Sequence, residues 1–460
     1  MIGYEFELLV REGDRVLCKD TFERFHAGLK KDGWTPKIDP IFQRVVGSSK
    51  DDWFVGSDDG VCILEANMPP RETIGEADDQ MRAFLTDIQQ RWKSLGCTIT
   101  GVSTFAGEYD IHRYLCNERC IDPEACSKNY LAYAKAHRYP QGHHALNAFA
   151  GNHVWLDAPI ADAFRRWRLL VRLNPLLIAL AANGPLFNRE RLPGLDGRDH
   201  LWGVMLGSSR LGDDRWFYGM PHNEPRSFLE YMDLCMTIPF FFELRDGVGF
   251  RLCDELLTYG DYYLRGGAEA MFPPTGERFF ATPTIDDFQG LQQKNFFATR
   301  MKYRVKEDAG IEDVIEAYRM RDEARLLDLF DRICLEVRTV GAQPEADLSA
   351  MPALLLGVSE RMDQLEALLD REPYSYWVDL TADVQQNGMH PVRDGIRTVE
   401  LLEQLLDLAE EGLRSRDAGE EKFLAPLRAR LERRETPAEE QLKLWEKGGL
   451  EAIWDARDYR

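Results

Sequence analysis

The first residues of the chain alternate between apolar and polar side chains, which is the pattern of a half-buried β-strand. Tyr4, Phe6 and Leu8 fall on one side of an extended chain, and Glu5 and Glu7 fall on the other. The two carboxylates are then about 7 Å apart, because a strand rises about 3.3 Å per residue. On a face that closes over a cavity they repel each other unless a cation lies beside them. An amphipathic strand with a hydrated face has the same alternation.

Later segments mix short strands with helices. Apolar positions recur at helical spacing over 73–95 and 164–182. The run Asp58-Asp59-Gly60 has the composition of a hairpin turn leading into a strand that ends at Glu65. Segment 333–338 alternates like the first strand and puts Glu336 and Arg338 on one side.

These elements predict one α+β fold with mostly antiparallel strands. From 395 onward the chain is helical and rich in charge, with leucines at helical spacing. We therefore expect a domain over 1–394 with a helical segment, 395–460, packed on it as part of one continuous domain.

Several strands place polar residues where they can share one face of a sheet. Carboxylate oxygens are the ligands that Mg²⁺ prefers, and one imidazole is compatible with Mg²⁺ or Mn²⁺. An arginine beside such a site can hold phosphate or carboxylate oxygens in pairs. The candidates come from separate segments and are Glu5, Glu7, Asp58 or Asp59, Glu65, His153, Glu336 and Arg338.

Each candidate also has a purely structural interpretation. A histidine such as His153 is commonly a satisfied interior side chain. Glu65 fits the end of a strand, and Glu336 with Arg338 fits a cross-strand ion pair. Asp58 and Glu65 are an odd number of residues apart, so the turn must redirect Asp58, or Asp59 takes its place.

The familiar nucleotide and hydrolase motifs are absent from the sequence. There is no G-x-x-x-x-G-K-[ST] loop, and Gly247-Val248-Gly249 lacks the rest of a dinucleotide-binding turn. Neither G-x-S-x-G nor H-E-x-x-H occurs. If the chain binds a nucleotide, it does so through metals on a sheet.

Composition and charge narrow the class of partner. The chain has 460 residues, 44% hydrophobic and 29% charged, with a formal net charge of −21. This acidity, without a long Lys/Arg run, argues against a nucleic acid and an anionic membrane as partners. No apolar run is long enough to cross a membrane, and the start lacks the basic and apolar regions of a signal peptide. We expect a cytoplasmic protein acting on small molecules.

The nine cysteines are an odd number in a large chain, which indicates reduced thiols. One local cluster has two interpretations, a structural zinc site or free thiols in a helix–loop segment. Its spacing is looser than that of paired C-x₂-C ligands. The cluster is His112, Cys116, Cys120 and Cys126.

Seven segments, in order along nearly the whole chain, resemble the glutamate–cysteine ligase family and its wider carboxylate–amine ligase relatives. The opening segment matches the family's G-x-E-x-E, and later ones are similar to its A-N-S-P-L-F, R-D-G and L-E-V/M-R segments. The matching segments are Gly3 to Glu7, Asp58 to Asn67, Gly151 to Val154, Arg172 to Phe187, Phe228 to Gly247, Leu335 to Arg338 and Thr436 to Glu439.

The resemblance implies a glutamine-synthetase-like fold, with a curved antiparallel sheet as the floor of the active site. It implies ATP and Mg²⁺ (or Mn²⁺), with the γ-carboxylate of glutamate phosphorylated before an amine attacks it. By the same resemblance Arg338 contacts the transferring phosphate, and Arg172 and Asn183 hold substrate. The implied metal ligands are Glu5, Glu7, Asp58, Glu65, His153 and Glu336.

The chain also departs from the family pattern. His153-Val154-Trp155 replaces H-V-H, Gly184 stands where serine is common, and the His143-His144 pair has no family counterpart. These differences concern the amine acceptor more than the phosphoryl chemistry. Two other classes stay open: a phosphotransferase acting on a guanidino or amino group, and a non-catalytic binding protein with the same fold.

Overall fold

A computed structural model describes residues 1–38, 45–58, 62–109, 137–140, 148–245, 247–273 and 275–460. The strands in these ranges are β1 (Ile2–Glu12), β2 (Arg15–Val16), β3 (Thr35–Ile38), β4 (Val45–Lys50), β5 (Trp53–Ser57), β6 (Ile63–Asn67), β7 (Cys97–Thr100), β8 (Asn152–Ala158), β9 (Leu186–Phe187), β10 (Glu190–Arg191), β11 (Tyr218–Gly219), β12 (Glu243–Arg245), β13 (Val248–Leu252), β14 (Ala268–Phe272), β15 (Glu277–Ala281), β16 (Phe296–Phe297), β17 (Thr299–Val305) and β18 (Phe330–Val337).

The α-helices of the same ranges surround these strands. They are α1 (Lys19–Lys31), α2 (Ile74–Ser94), α3 (Ala163–Arg172), α4 (Asn174–Ala181), α5 (Gly197–Gly207), α6 (Phe228–Met236), α7 (Tyr259–Leu264), α8 (Ile285–Leu291), α9 (Ile311–Arg319), α10 (Glu323–Asp328), α11 (Ala350–Ser359), α12 (Met362–Leu369), α13 (Tyr374–Asn387), α14 (Gly395–Ser415), α15 (Ala425–Arg433) and α16 (Pro437–Arg457).

A large antiparallel sheet organises the described part of the chain. Its strand order is β17-β18-β8-β1-β6-β5-β4-β3, and β2 and β7 also pair with β1. Each of these pairings is antiparallel. A four-stranded antiparallel sheet of β12 to β15 lies apart from it. The predicted α+β class with mostly antiparallel strands is confirmed.

Strand β1 lies near the middle of the sheet and has one buried apolar side. Tyr4, Phe6 and Leu8 are buried, as their alternation predicts. Behind the sheet, Phe25 of α1 stacks on Trp92 of α2 with ring centroids 3.9 Å apart. Such stacking adds to the burial of both rings. The apolar side of β1 therefore anchors the strand and leaves its carboxylates on the other side.

The helix expected over 164–182 is divided into α3 and α4. Pro175 lies in the first turn of α4 and has no N–H to donate back into α3. Every residue of α4 is buried, so this helix is enclosed on all sides and does not have the single apolar face that was expected. Periodicity alone therefore predicted the burial but not the break.

Segment 395–460 forms helices α14 to α16 and packs closely on the rest. A Cβ on Gly412 of α14 would collide with the backbone of Gly357 in α11, so the two helices touch backbone to backbone. Helix α16 begins with a capping box between Thr436 and Glu439. Residues 395–415, 425–433 and 437–457 are helical, and the division of the chain at 394 stays a prediction.

Candidate active site

The register of the sheet brings the predicted ligands onto one face. Glu5 lies opposite His153 on β8, and Glu7 lies opposite Glu65 on β6. On β18, Glu336 lies opposite Trp155, two residues along β8 from His153. Because side chains two residues apart share a face, all of these groups point to the same side of the sheet.

Glu5, His153 and Glu336 form the tightest group. One ligand atom from each lies within 4.8 Å of the others. His153 Nδ1 is 2.7 Å from Glu5 Oε1 and 3.7 Å from Glu336 Oε1. The imidazole and Glu336 are buried, and Glu5 is half-buried. This spacing suits donors converging on one cation.

Glu7 is fixed by a backbone donor. The Gly151 N–H donates to Glu7 Oε2 at 2.6 Å, and the Glu7 N–H donates to the Gly151 carbonyl at 2.8 Å. Burial raises the pKa of Glu7, while His153 and Arg198 oppose the shift. The strand β1 thus presents Glu7 at a defined position beside His153.

Glu65 and Asp58 complete the acidic side. Burial, followed by the charges of Glu5 and Asp58, raises the pKa of Glu65 well above its usual range. Asn67 Nδ2 donates to Glu65 Oε1 at 2.7 Å and opposes this shift. Asp58 lines the same cleft as Glu65. Asp59 lies outside the described residues.

Three basic side chains lie next to Glu336, at the edge of the acidic group. Arg338 Nη1 donates to Glu336 Oε1 at 2.6 Å, and Lys302 Nζ lies 3.3 Å from Glu336 Oε2. Arg300 Nη1 is 3.8 Å from the same oxygen. Burial by itself would raise the pKa of Glu336, but Lys302, Arg338 and Arg300 outweigh it and hold that pKa well below its usual range. Glu336 is therefore a permanent carboxylate between cations and the acidic group.

Sequence reasoning missed Arg300 and Lys302. Both come from β17, where basic residues alternate with apolar Met301 and Tyr303. That alternation resembles the alternation of β1 and was the available signal. Burial, together with the charge of Arg338, lowers the pKa of Arg300 to about 10.

Arg198, in the first turn of α5, was also missed. Its Nη2 is 3.4 Å from His153 Nε2, and its side chain is buried. A Cβ on Gly151 would lie 2.9 Å from Arg198 Nε, so glycine leaves the room that the guanidinium needs. The G-N-H segment therefore combines a ligand with a small residue that admits an arginine.

Apart from His153, which is buried behind them, the carboxylates and the basic side chains described above line a cleft of about 1530 Å³. Lys37 and Phe54 are among the described residues on one wall of the cleft. Another wall includes Glu243, on the small sheet, and Lys294, in the segment after α8. This volume accommodates a nucleotide together with a second small molecule.

Arg172 and Asn183 have other partners. The Arg172 guanidinium pairs with Glu224, at 2.6 Å, and with Asp370. The Asn183 amide donates to the carbonyls of Gly101 and Ala342. Neither is among the described residues that line the cleft. Their geometry indicates support of the fold, and substrate contact stays a prediction for both.

The residues present fit a hard divalent cation. The donors are carboxylate oxygens with one imidazole, a set that suits Mg²⁺ or Mn²⁺. The raised pKa of Glu65 reflects carboxylates that repel one another in a buried site. Glu336 Oε2 is buried without a hydrogen-bond partner in the described structure. A cation among these carboxylates would relieve the burial and repulsion that raise the pKa of Glu65.

Two other groups noted in the sequence cannot be placed relative to the cleft. The His112, Cys116, Cys120 and Cys126 cluster and the His143-His144 pair lie outside the described residues. Among the described helices, none is both long and apolar enough to cross a membrane.

Clustered carboxylates and buried basic side chains lie side by side on this face of the sheet. A cleft with this lining can bind both cations and anions. The model of glutamate–cysteine ligase family 2 matches residues 37–456. The chain belongs to that family.

Two curated relatives are plant enzymes. The chloroplastic glutamate–cysteine ligase of Solanum lycopersicum is 24% identical over 299 residues, covering 62% of this chain and 46% of the relative. That of Brassica juncea is 23% identical over 291 residues, covering 62% and 47%. The match thus spans about half the length of these relatives.

Two solved structures are also similar. A glutamate–cysteine ligase from Francisella tularensis in complex with AMP has a TM-score of 0.49 at 12% identity, covering 99% of this chain and 86% of that one. A bifunctional glutathione synthetase from Pasteurella multocida has a TM-score of 0.44 at 11% identity, covering 99% and 51%.

Proposed function

We propose that the protein is an ATP-dependent carboxylate–amine ligase. In this reaction it activates the γ-carboxylate of glutamate as an acyl phosphate and transfers the acyl group to an amine, with cysteine the first acceptor to test. The observation that carries the proposal is the group Glu5, His153 and Glu336, within 4.8 Å of one another and adjoining buried cations. Membership of the glutamate–cysteine ligase family supports the choice of substrates.

The acidic group would hold Mg²⁺ or Mn²⁺. The proposed ligands are Glu5, Glu7, Asp58, Glu65, His153 and Glu336. When bound, the ion neutralises phosphate charge and aligns the phosphoryl group for in-line transfer. We propose that ATP binds on the same face of the sheet. The sequence has no phosphate-binding loop motif that could hold it elsewhere.

The cations would hold the transferred group. Arg338 stays charged at every relevant pH, because an arginine guanidinium does not lose its proton in that range. Its side chain donates a hydrogen bond to the Glu336 carboxylate. Arg300 and Lys302 lie against the other oxygen of Glu336. Together these three side chains can stabilise negative charge on a phosphoryl group, which is the main requirement of this chemistry.

The reaction has two displacements. A carboxylate oxygen of glutamate attacks the γ-phosphorus, and ADP leaves. The amine nitrogen then attacks the acyl carbon, so a C–N bond forms while the C–O bond to phosphate breaks. The cleft is roomy enough to hold both substrates at once.

One assay separates this function from the two other classes. The protein is incubated with ATP, Mg²⁺, glutamate and hydroxylamine, which intercepts an acyl phosphate. We expect ADP and γ-glutamyl hydroxamate. ADP without hydroxamate would indicate phosphotransfer to another group, and no ADP with any carboxylate would indicate a binding protein.

Replacing Glu5 with glutamine tests the site itself. The variant keeps the size of the side chain but removes one anionic donor, so we expect turnover to fall by more than about 100-fold. Mn²⁺ binding, followed by electron paramagnetic resonance, should weaken in parallel. Glu269→Gln, at an exposed position of β14, is the matched control. Near-normal turnover and Mn²⁺ binding in Glu5→Gln would refute the assignment.

A cytoplasmic location stays a prediction, and the two plant relatives are described as chloroplastic.

A further inference from the structure

Another wall of the cleft carries a buried carboxyl that the phosphoryl chemistry does not use. Glu243 on β12, Phe242 before it, Gly290 in α8 and Lys294 after α8 all line the cleft. Glu243 lies near the end of the segment Phe228 to Gly247, one of the segments that resemble the family. No residue of this segment has a role in the function proposed above.

Glu243 is 4% exposed, and its Oε1 has no hydrogen-bond partner among the described residues. Burial raises its pKa to about 8, an effect that the charge of Lys294 partly opposes. A buried carboxylate oxygen without a donor costs free energy unless a ligand supplies the donor. Glu243 is one of the residues that line the cleft, so a ligand bound there lies next to this carboxyl, whose Oε1 is itself buried.

The surroundings hold this carboxyl in place. A Cβ on Gly290 would collide with the Glu243 carboxylate, so the glycine leaves the carboxylate its present position. Lys294 Nζ lies 3.6 Å from the ring centroid of Phe242 and 3.8 Å from Glu243 Oε1, which is too long for a hydrogen bond. The lysine ammonium therefore provides nearby charge but not the missing donor.

Side-chain contacts connect the two elements of this wall. Arg245, two residues after Glu243, pairs with both carboxylate oxygens of Asp287 in α8, at 2.9 and 2.8 Å. Asp287 also closes a capping box with Thr284 at the start of that helix. These contacts tie β12 to α8, the two elements that bring Glu243 and Gly290 together.

We propose that Glu243 binds the ammonium group of the amine acceptor and takes its proton. This inference rests on the ligase function proposed above. The R–NH₃⁺ group gives one proton to the Glu243 carboxylate and becomes a neutral amine. The nitrogen then forms the C–N bond as the C–O bond to phosphate breaks, and its second proton goes to the released phosphate. A carboxyl that titrates near neutral pH suits such a proton acceptor.

Two nucleophiles of different charge test the assignment. L-cysteine carries an ammonium group at neutral pH, whereas hydroxylamine is uncharged and needs no proton acceptor before it attacks; the proton that it loses on forming the hydroxamate goes to the released phosphate. With ATP, Mg²⁺ and glutamate, we expect Glu243→Gln to lower the rate with cysteine by about 100-fold, a typical contribution of a general base. The rate of hydroxamate formation should change by less than about threefold, so the ratio of the two rates falls. The KM for ATP should also stay within that threefold limit.

Glu269→Gln, an exposed neighbour on the same small sheet, should leave both rates unchanged. If Glu243→Gln fails to fold, Gly290→Ala serves instead, because it displaces the carboxylate without removing it; the same selective loss is expected. Equal losses with both nucleophiles, or no loss with either, would overturn the assignment.

The failures of the two proposals differ in the wild-type protein. If it forms hydroxamate but no product from cysteine, methylamine or ammonia, an ammonium site at Glu243 is wrong and the ligase function stands. If it forms no hydroxamate, the ligase function is refuted, and the acceptor role of Glu243 falls with it.

Discussion

At the scale of single residues, the site is built from charges that the fold places in fixed pairs. Glu336 is held ionised by Lys302, Arg338 and Arg300, whereas Glu65, a few strands away, has a raised pKa because burial and other carboxylates act on it. Two glutamates on one sheet face thus have opposite protonation tendencies. The difference follows from their neighbours and not from their residue type.

Glu7→Leu separates the site from the core of β1. The variant loses a carboxylate of the cleft and leaves the Gly151 N–H without its acceptor, which costs about 1–3 kcal/mol. We expect a folded protein without turnover, measured by ADP release and a urea unfolding midpoint. The control is Tyr4→Phe, on the opposite side of β1, which keeps the ring against Phe6 and should keep turnover. An active Glu7→Leu protein would contradict the role of Glu7.

At the scale of elements, helix α1 covers the far strands of the sheet. His26 of α1 is buried and lies 2.8 Å from Ser48 Oγ on β4, through its Nδ1. Burial lowers the pKa of His26 to about 3. Strand β4 lies between β3 and β5, which supply Lys37 and Phe54 to the cleft. The helix therefore supports one wall of the site through a neutral histidine.

His26 should make the stability of the protein depend on pH. Its pKa in the folded protein lies below the unfolded value of 6.5, so the unfolded chain takes up the proton first as pH falls. This stabilisation is present above pH 6.5 and is lost between pH 6.5 and about 3, at up to about 1.4 kcal/mol per pH unit.

His26→Gln cannot titrate, so its free energy of unfolding should fall less steeply with decreasing pH in urea titrations. The exposed His390, replaced by glutamine, is the control and should keep the wild-type slope. Equal slopes in wild type and His26→Gln would show that burial does not keep the ring neutral.

At the scale of the whole molecule, the C-terminal helices are connected to the strand that carries His153. The buried Arg430 of α15 donates to the Leu180 carbonyl, to Gln343 and to Asp347. The Gln343 backbone N–H in turn donates to Asn152 Oδ1 at 2.9 Å, next to His153. The last helices therefore belong to the structure that positions the site.

Arg430→Met should destabilise the whole protein. It leaves the Asp347 carboxylate without its buried partner, which we expect to cost roughly 3 kcal/mol. Arg433→Met, which breaks an exposed pair with Glu440, should cost less than about 1 kcal/mol. Thermal unfolding followed by calorimetry checks both. Separate unfolding of the C-terminal helices in the wild-type protein, or an unchanged unfolding temperature in Arg430→Met, would contradict the connection.

Much of the site was predictable from local pattern. The alternation of β1 correctly placed Glu5 and Glu7 on one face and Tyr4 and Phe6 in the core. Alternation at the end of β18 likewise placed Glu336 beside Arg338. In contrast, the prediction of substrate contact for Arg172 came from a motif alone, and its ion pairs with Glu224 and Asp370 depend on distant segments.

The sequence by itself determined which side chains share a face of each strand, because successive residues of an extended chain point to opposite sides. It also determined, through the order of its motifs, the family to which the chain belongs. Only the tertiary structure decided that Arg198 lies beside His153, and Arg300 and Lys302 beside Glu336. The register between strands far apart in the chain sets those distances, and no local pattern specifies it. The same holds for Glu243, whose unpartnered oxygen exists because a separate helix and hairpin meet around it.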